Sequence, residues 1–212
     1  MQNKKNNLLA EIAGYYTSKL SQHGETPQGV DWNGEESQTQ RFRQLCKIID
    51  PSKKDFSIND LGCGYGALYD FLALHYEAFS YSGVDVSASM VRAAEQRHQN
   101  KTNARFLLTS EPDQIADYGV ASGIFNVRLS HSETEWVKYI ETILDALDRT
   151  SRMGFSFNCL TLYSDVEKRR DHLYYADPGI LFDFCKRRYS RHVALLHDYG
   201  LFEFTILVRK QL

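Results

Sequence analysis

Residues 58–72 read INDLGCGYGALYDFL. An apolar run closes on Asp60, three glycines (Gly62, Gly64, Gly66) fall within five positions, and a helical pattern opens at Ala67. Glycines at this spacing let the backbone turn tightly after a strand and bring bare main-chain N–H groups up to a ligand, as in nucleotide loops at the start of a helix. Gly62, Gly64 and Ala67 also satisfy the G-x-G-x-x-G/A pattern of dinucleotide loops. A second acid, Asp85, closes the next strand pattern about twenty residues on, where a carboxylate can take both hydroxyls of a ribose.

Two nucleotide classes fit such a loop, a dinucleotide redox cofactor and S-adenosylmethionine. Three features favour the second. Asp60 stands directly before the turn, where a carboxylate suits a cationic amino-acid end and repels a pyrophosphate. A dehydrogenase needs a second mononucleotide-binding half, and too little chain follows the fourth strand for one. The chain also ends in two strand patterns, Ser190 to His197 and Leu201 to Lys210, separated only by Asp198-Tyr199-Gly200. So short a connection joins antiparallel neighbours, which a dehydrogenase sheet does not have there.

The elements that must position these residues follow from periodicity. Helical spacing runs over Lys4 to Ser21 and over Ser37 to Ile49, with a loop from Gly24 to Gly34 between them and Pro51 as a stop. Strand and helix patterns then alternate: strands at Phe56 to Leu61, Tyr81 to Val86, Ala104 to Leu108, Tyr118 to Ser122 and Met153 to Leu160, and helices at Ala67 to His75, Ser87 to Gln99, Glu133 to Thr150 and Pro178 to Arg187. Ser87 is placed to cap its helix. The rhythm implies an α/β fold, a parallel sheet covered by helices on both faces. Residues 1–52 are expected to form a helical lid or substrate cap, and residues 53–212 the nucleotide-binding domain.

Net charge is −2, so bulk electrostatics do not point to nucleic acid. Lys168-Arg169-Arg170 and Lys186-Arg187-Arg188 read as solvated faces. Met1 to Asn7 is polar, with no apolar core of a signal peptide, and no apolar run is long enough to span a bilayer. Four dispersed cysteines without a C-x-x-C pair suggest reduced thiols in a cytoplasmic protein and no metal site.

The runs DLGCGYG, SGVDVSASMV and YGVASGIFN, followed by the terminal hairpin, resemble the class I S-adenosylmethionine-dependent methyltransferases over roughly residues 56 to 210. The resemblance implies a Rossmann-like sheet of seven strands in the order 3-2-1-4-5-7-6 with strand seven antiparallel. It also implies S-adenosyl-L-methionine as cofactor and S-adenosyl-L-homocysteine as product. Carried over by position, Asp60, Gly62, Cys63, Gly64, Tyr65 and Gly66 border the methionyl end, Asp85 holds the ribose, and Val86 and Met90 flank the adenine. The backbone at Ser122 meets the α-amino group. Where the family has a Gly-Asp pair after strand three this chain has Thr109-Ser110-Glu111, leaving Ser110 or Glu111 for the adenine amino group. Arg41 is a candidate partner for the cofactor carboxylate.

Methyl transfer to an O, N or C nucleophile is an in-line displacement, and a base is needed only if the acceptor must lose a proton early. His197 at the hairpin is the candidate base, Asn126 an orienting amide, and Arg128 a guanidinium for a carboxylate-bearing acceptor. Tyr15, Tyr16, His23, Trp32, Phe125, Asn158, Tyr163, Tyr174, Tyr175 and Tyr199 are candidates to line the acceptor cleft. Segment 122–126, Ser-Gly-Ile-Phe-Asn, lacks the Asn/Asp-Pro-Pro-Tyr/Phe motif of base-methylating DNA enzymes. A small-molecule acceptor is therefore expected, without nucleic acid or membrane, in a monomer or homodimer. A protein or RNA acceptor and a non-catalytic cofactor-binding protein are the alternatives.

Overall fold

A computed structural model describes residues 2–210, and the side chains of 7–210. The strands are β1 (Asp55–Leu61), β2 (Ala78–Asp85), β3 (Ala104–Leu108), β4 (Ala116–Ala121), β5 (Ser151–Leu160), β6 (His192–Leu196) and β7 (Glu203–Arg209). They form one sheet in the order β3-β2-β1-β4-β5-β7-β6. Neighbours run parallel from β3 to β5, and β7 runs antiparallel to both β5 and β6. This is the topology that the sequence implies. β2 starts three residues earlier than its apolar pattern, because Ala78–Ser80 pair with Asp55–Ser57 through main chain, with Ala78 and Ser80 exposed and the half-buried Phe79 stacked on Phe56.

The helices are α1 (Gln2–His23), α2 (Glu35–Leu45), α3 (Ala67–His75), α4 (Ala88–Arg97), α5 (Glu133–Arg149) and α6 (Pro178–Arg188). Their starts have local causes. Ser87 Oγ accepts from Met90 N–H at the head of α4, and Ser132 with Glu135 makes a reciprocal capping box on α5. Asp177 caps α6, whose first residue is Pro178. The loop expected over residues 24–34 contains one 3-10 turn, Pro27–Val30.

Each face of the sheet buries its own core. On one, Trp136, Ile140 and Leu144 of α5 pack against Phe155, Phe157 and Phe204, joined by Leu8 and Ile12 of α1. On the other, Leu68 and Leu72 of α3 and Val91 of α4 meet Ile58 and Val120, joined by Phe42 and Leu45 of α2. Each such fully buried side chain contributes about 1.5–3 kcal/mol. The N-terminal helices are thus seated in both cores rather than laid over them.

Arg41 of α2 fixes that seat. Its Nε and Nη2 donate to the two carboxylate oxygens of Glu203 at 2.8 and 2.9 Å, with the two side chains 7% and 1% exposed. Asn158 Nδ2 donates to the same Glu203 at 2.7 Å, while Asn158 Oδ1 accepts from Gly123 N–H at 2.7 Å. The Trp32 ring lies 3.8 Å from the guanidinium carbon. Arg41, expected to meet the cofactor carboxylate, thus has two of its three nitrogens taken by a carboxylate of the protein, and only Nη1 is left without a partner. Removing one partner leaves a buried charge uncompensated, so Glu203→Leu is expected to cost about 3–5 kcal/mol in urea unfolding. The Arg41→Met/Glu203→Leu double variant is expected to recover most of that loss. An equally unstable double variant would show that the pair does not hold α2 in place.

Candidate active site

The strand order reverses between β1 and β4, and the crevice beyond their C-terminal ends is where sheets of this kind take ligands. Here the chain leaves β1 through the glycine turn. Gly62 N–H and Cys63 N–H donate to Val84 O at 2.8 and 3.1 Å, and Gly66 N–H closes the turn onto Cys63 O at 3.0 Å. Gly66 has φ +86°, and a Cβ there would sit 2.7 Å from His98 Nε2. The buried His98 ring stacks on Phe106 and places Nε2 3.2 Å from Gly66 O. Burial holds its imidazole below the ordinary histidine value, so the neutral ring braces the turn from behind.

Asp85 ties the turn to β2: its Oδ2 accepts from Gly64 N–H at 3.0 Å and its Oδ1 from Ser87 N–H at 2.8 Å. Burial raises the Asp85 carboxyl, with those N–H groups opposing. Asp60 is more enclosed. Its Oδ2 accepts from Tyr81 O–H at 2.6 Å, and its Oδ1 is buried without a partner. Burial pushes the Asp60 carboxyl up to about 7, the Tyr81 hydroxyl opposes this, and the nearby Asp85 charge adds to it.

These residues line a first cavity. Asp60, Gly62, Cys63, Gly64 and Tyr65 lie along one wall, Asp85, Val86 and Met90 along another, and Ser110 and Ser122 at its edges. Ser122 Oγ, like Asp60 Oδ1, is buried without a partner. Of the two candidates after β3, Ser110 reaches the cavity. Glu111 turns away to Arg149 at 2.6 Å and is absent from the lining, which corrects its assignment. Thr109, Tyr139 and Ile143 also line the cavity and were missed by sequence reasoning. The periodicity of α5 marked a buried face, but not which of its residues reach past the sheet edge.

A second cavity, of about 910 Å³, lies alongside. Tyr16, Val30 and Trp32 line both, so one wall is shared. That wall is held by α1: Tyr15 O–H and Lys19 Nζ bind the two oxygens of Asp31 at 2.7 and 2.6 Å, fixing the end of the Pro27–Val30 turn. Trp32 then lies flat against Gly123, where a Cβ would come within 2.3 Å of its ring. His23 and Tyr175, expected to line the acceptor cleft, and Asn126, expected to orient the acceptor, join the lining. Asn126 Oδ1 accepts from Leu160 N–H at 3.0 Å, which leaves its Nδ2 as the group for a ligand. Arg41 lines this cavity rather than the first. Lys168-Arg169-Arg170, expected as a solvated face, also belongs to its wall.

The remaining candidates lie outside both cavities. Arg128 directs Nη2 toward Asp171 O at 3.4 Å, bound to the segment after β5. His197 is exposed on the hairpin, its ring 6.0 Å from that of Tyr163, which is itself 68% exposed. Phe125 is core, edge-on to Phe157, and its carbonyl accepts from Trp136 Nε1–H. Asn158 is consumed by Glu203 and Gly123, Tyr199 by Thr205, and Tyr15 by Asp31. Tyr174 packs against the α5-side core. These assignments rested on position after a strand, which does not say whether a side chain turns into the crevice or under it.

Comparison with known proteins agrees with this geometry. Residues 58–153 match the family described as a methyltransferase domain. The chain is 64% identical over 155 residues to the "Putative methyltransferase Rv1506c" of Mycobacterium tuberculosis (strain ATCC 25618 / H37Rv), covering 73% of this chain and 93% of that protein. Among solved structures, a DhpI–SAH complex superposes with a TM-score of 0.65 at 14% identity, over 95% of this chain and 96% of that one. The N-methyltransferase NodS from Bradyrhizobium japonicum WM9, in complex with S-adenosyl-L-homocysteine, gives a TM-score of 0.64 at 15% identity, over 93% and 97%. The chain belongs to the class I S-adenosylmethionine-dependent methyltransferases, and its cofactor is S-adenosylmethionine. The first cavity fits a cationic nucleoside: an unpartnered buried carboxyl oxygen and hydroxyl face a glycine turn with a second carboxylate at the strand end.

Gly66→Ala would force a side chain into the His98 ring at an unfavourable φ. It is expected to cost about 1–3 kcal/mol of stability and to weaken S-adenosylmethionine binding, read by chemical unfolding and calorimetry. Wild-type values in both would refute the bracing of the turn by His98.

Proposed function

We propose that the protein methylates a small molecule that enters the second cavity while S-adenosylmethionine lies in the first. The observation that carries this reading is the shared wall: Tyr16, Val30 and Trp32 line both cavities, so the two spaces adjoin there and an acceptor that reaches past these side chains would come up to the methyl donor. In this reading Asp60, the glycine turn and Ser122 receive the methionyl end, Asp85 the ribose, and Val86, Met90 and Ser110 the adenine. Residues 1–52 serve as a cap and residues 53–212 as the cofactor domain.

When bound, the cofactor supplies an electrophilic methyl group on a sulfonium. The chain's task is then to align the acceptor and exclude water, and alignment of this kind is worth about 7–11 kcal/mol of barrier. Trp32, Val30 and Tyr139 shield the junction with apolar surface. Burial drives the Tyr16 phenol well above its ordinary value, so Tyr16 acts there as a neutral hydrogen-bond donor and not as a base. Asn126 Nδ2 is a second donor for the acceptor. Asp31 and Glu203, carboxylates of the second cavity, are held by Lys19 and Arg41 and are not free to act as bases. Glu167, on the same wall and without an ion pair among the described residues, is the carboxylate left to take a proton where the acceptor must lose one.

Two outcomes are expected. Tyr16→Phe should lower kcat about tenfold, the effect of one well-placed hydrogen bond, in an assay of S-adenosylhomocysteine formation across acid-bearing metabolites. An unchanged kcat would remove Tyr16 from the junction. Separately, a bound cation favours the ionised Asp60, so affinity for S-adenosylmethionine should rise with pH from about 6 to about 8 with proton release on binding. The sign follows from a free-state carboxyl raised to about 7 and pulled down by the ligand. Calorimetry in buffers of different ionisation heat reads this, with Asp60→Asn flattening the profile. A flat profile in the wild type would place the cationic end elsewhere.

A further inference from the structure

The charges of the second cavity do not cancel. Lys19 is paired with Asp31, Arg41 with Glu203, and Lys168 with Asp165. Arg169 and Arg170 have no carboxylate within ion-pair distance among the described residues. Arg169 Nε donates to Ser164 O at 3.3 Å and its Nη2 to Leu162 O, contacts that orient the guanidinium without neutralising it. Arg170 is anchored through its main chain, whose N–H donates to Tyr175 O–H oxygen at 3.0 Å. Glu167 is the lining carboxylate without an ion pair, one negative charge against two guanidinium groups, of which Arg170 lies near enough to Asp31 to help Lys19 and Tyr15 hold its carboxyl, against burial, below the usual value.

A second, buried donor points the same way. Arg41 Nη1 has no partner, although the side chain is only 7% exposed and its other two nitrogens are committed to Glu203. It lies where Trp32 stacks, next to the wall shared with the first cavity. A buried N–H of a charged group left unbonded is costly, and an oxygen of a ligand is the group that relieves it. Leu160, Leu173, Leu201 and Phe202 supply apolar wall in the same cavity.

We infer that the acceptor is an amphipathic acid: an apolar body with a carboxylate or phosphate monoester paired by Arg169 and Arg170, and an oxygen nearer the methyl donor that meets Arg41 Nη1. This names the acceptor class for the second cavity and rests on the reading of that cavity as the acceptor site. Arg128, the residue first assigned to the anion, is replaced by two arginines that the segment after β5 turns toward the cavity.

The test uses the full chain, with and without S-adenosylhomocysteine, titrated with phenyl phosphate, benzoate and the neutral benzamide. The two anions are expected to bind at least about tenfold more tightly than benzamide, the usual worth of a charge-assisted hydrogen bond. The tighter of the two identifies phosphate or carboxylate as the natural group. The Arg169→Gln/Arg170→Gln double variant, altered only at exposed side chains, should lose the anion preference and keep its affinity for S-adenosylhomocysteine. Equal binding of the three probes, or a preference surviving in the variant, would overturn the inference. So would a short single-stranded RNA that outbinds phenyl phosphate through the same arginines, which would make the partner a nucleic-acid backbone. Failure of S-adenosylhomocysteine to bind at all would count against the methyl-transfer reading instead, since the probe series is read without it as well.

Discussion

Glu203 is a carboxylate on an interior strand, 1% exposed, whose charge is compensated by a guanidinium from the far end of the chain. Desolvating both groups is costly, and their bidentate geometry offsets that cost only while α2 stays against β5 and β7. The same carboxylate orders Asn158, which holds Gly123 N–H, and Arg41 supports Trp32, whose ring lies on Gly123. Thus one buried ion pair sets the N-terminal segment, the exit of β4 and the central sheet relative to one another. The crevice between them takes its shape from that constraint.

Electrostatics then divides the crevice. The first cavity is bounded by Asp60 and Asp85, acids that burial makes reluctant to ionise, with main-chain N–H groups opposing the effect at Asp85. The second carries an excess of fixed positive charge from the segment after β5. A cationic donor and an anionic acceptor would each find the side of the wall that suits it, and neither would be stabilised in the other's place. Sorting by charge precedes any recognition by shape.

The parallel sheet and its terminal hairpin were legible because turn residues and period changes are local. Gly62-x-Gly64-x-Gly66 and Asp198-Tyr199-Gly200 set their own connections, whereas the strand order came from the family resemblance. The acids and glycines of the first cavity were legible for the same reason, as strand ends fix where their next residues go. The second cavity was not. Part of its wall comes from residues 161–177, a segment with only a 3-10 turn (Val166–Lys168) and two isolated bridges, so no periodicity reports which side chains reach the cavity. Lys168-Arg169-Arg170 read as solvent-facing and are exposed, but no local signal tells that they also rim a cavity. Tyr163 and His197 read as site residues and stand exposed outside it. Arg41 read as a partner for the cofactor carboxylate, because its actual partner, Glu203, lies 162 residues away and carries no local signal.

The wall that both cavities share is built from three side chains, Tyr16 of α1 and Val30 and Trp32 at the end of the following loop. On the proposed placement of donor and acceptor, a substitution there that reshapes room for a new acceptor would also alter the surface facing the methyl donor. Acceptor preference and donor affinity would then change together. Changes of specificity that spare the donor site would fall on the opposite wall, in the part of the segment between β5 and α6 around Arg169 and Arg170.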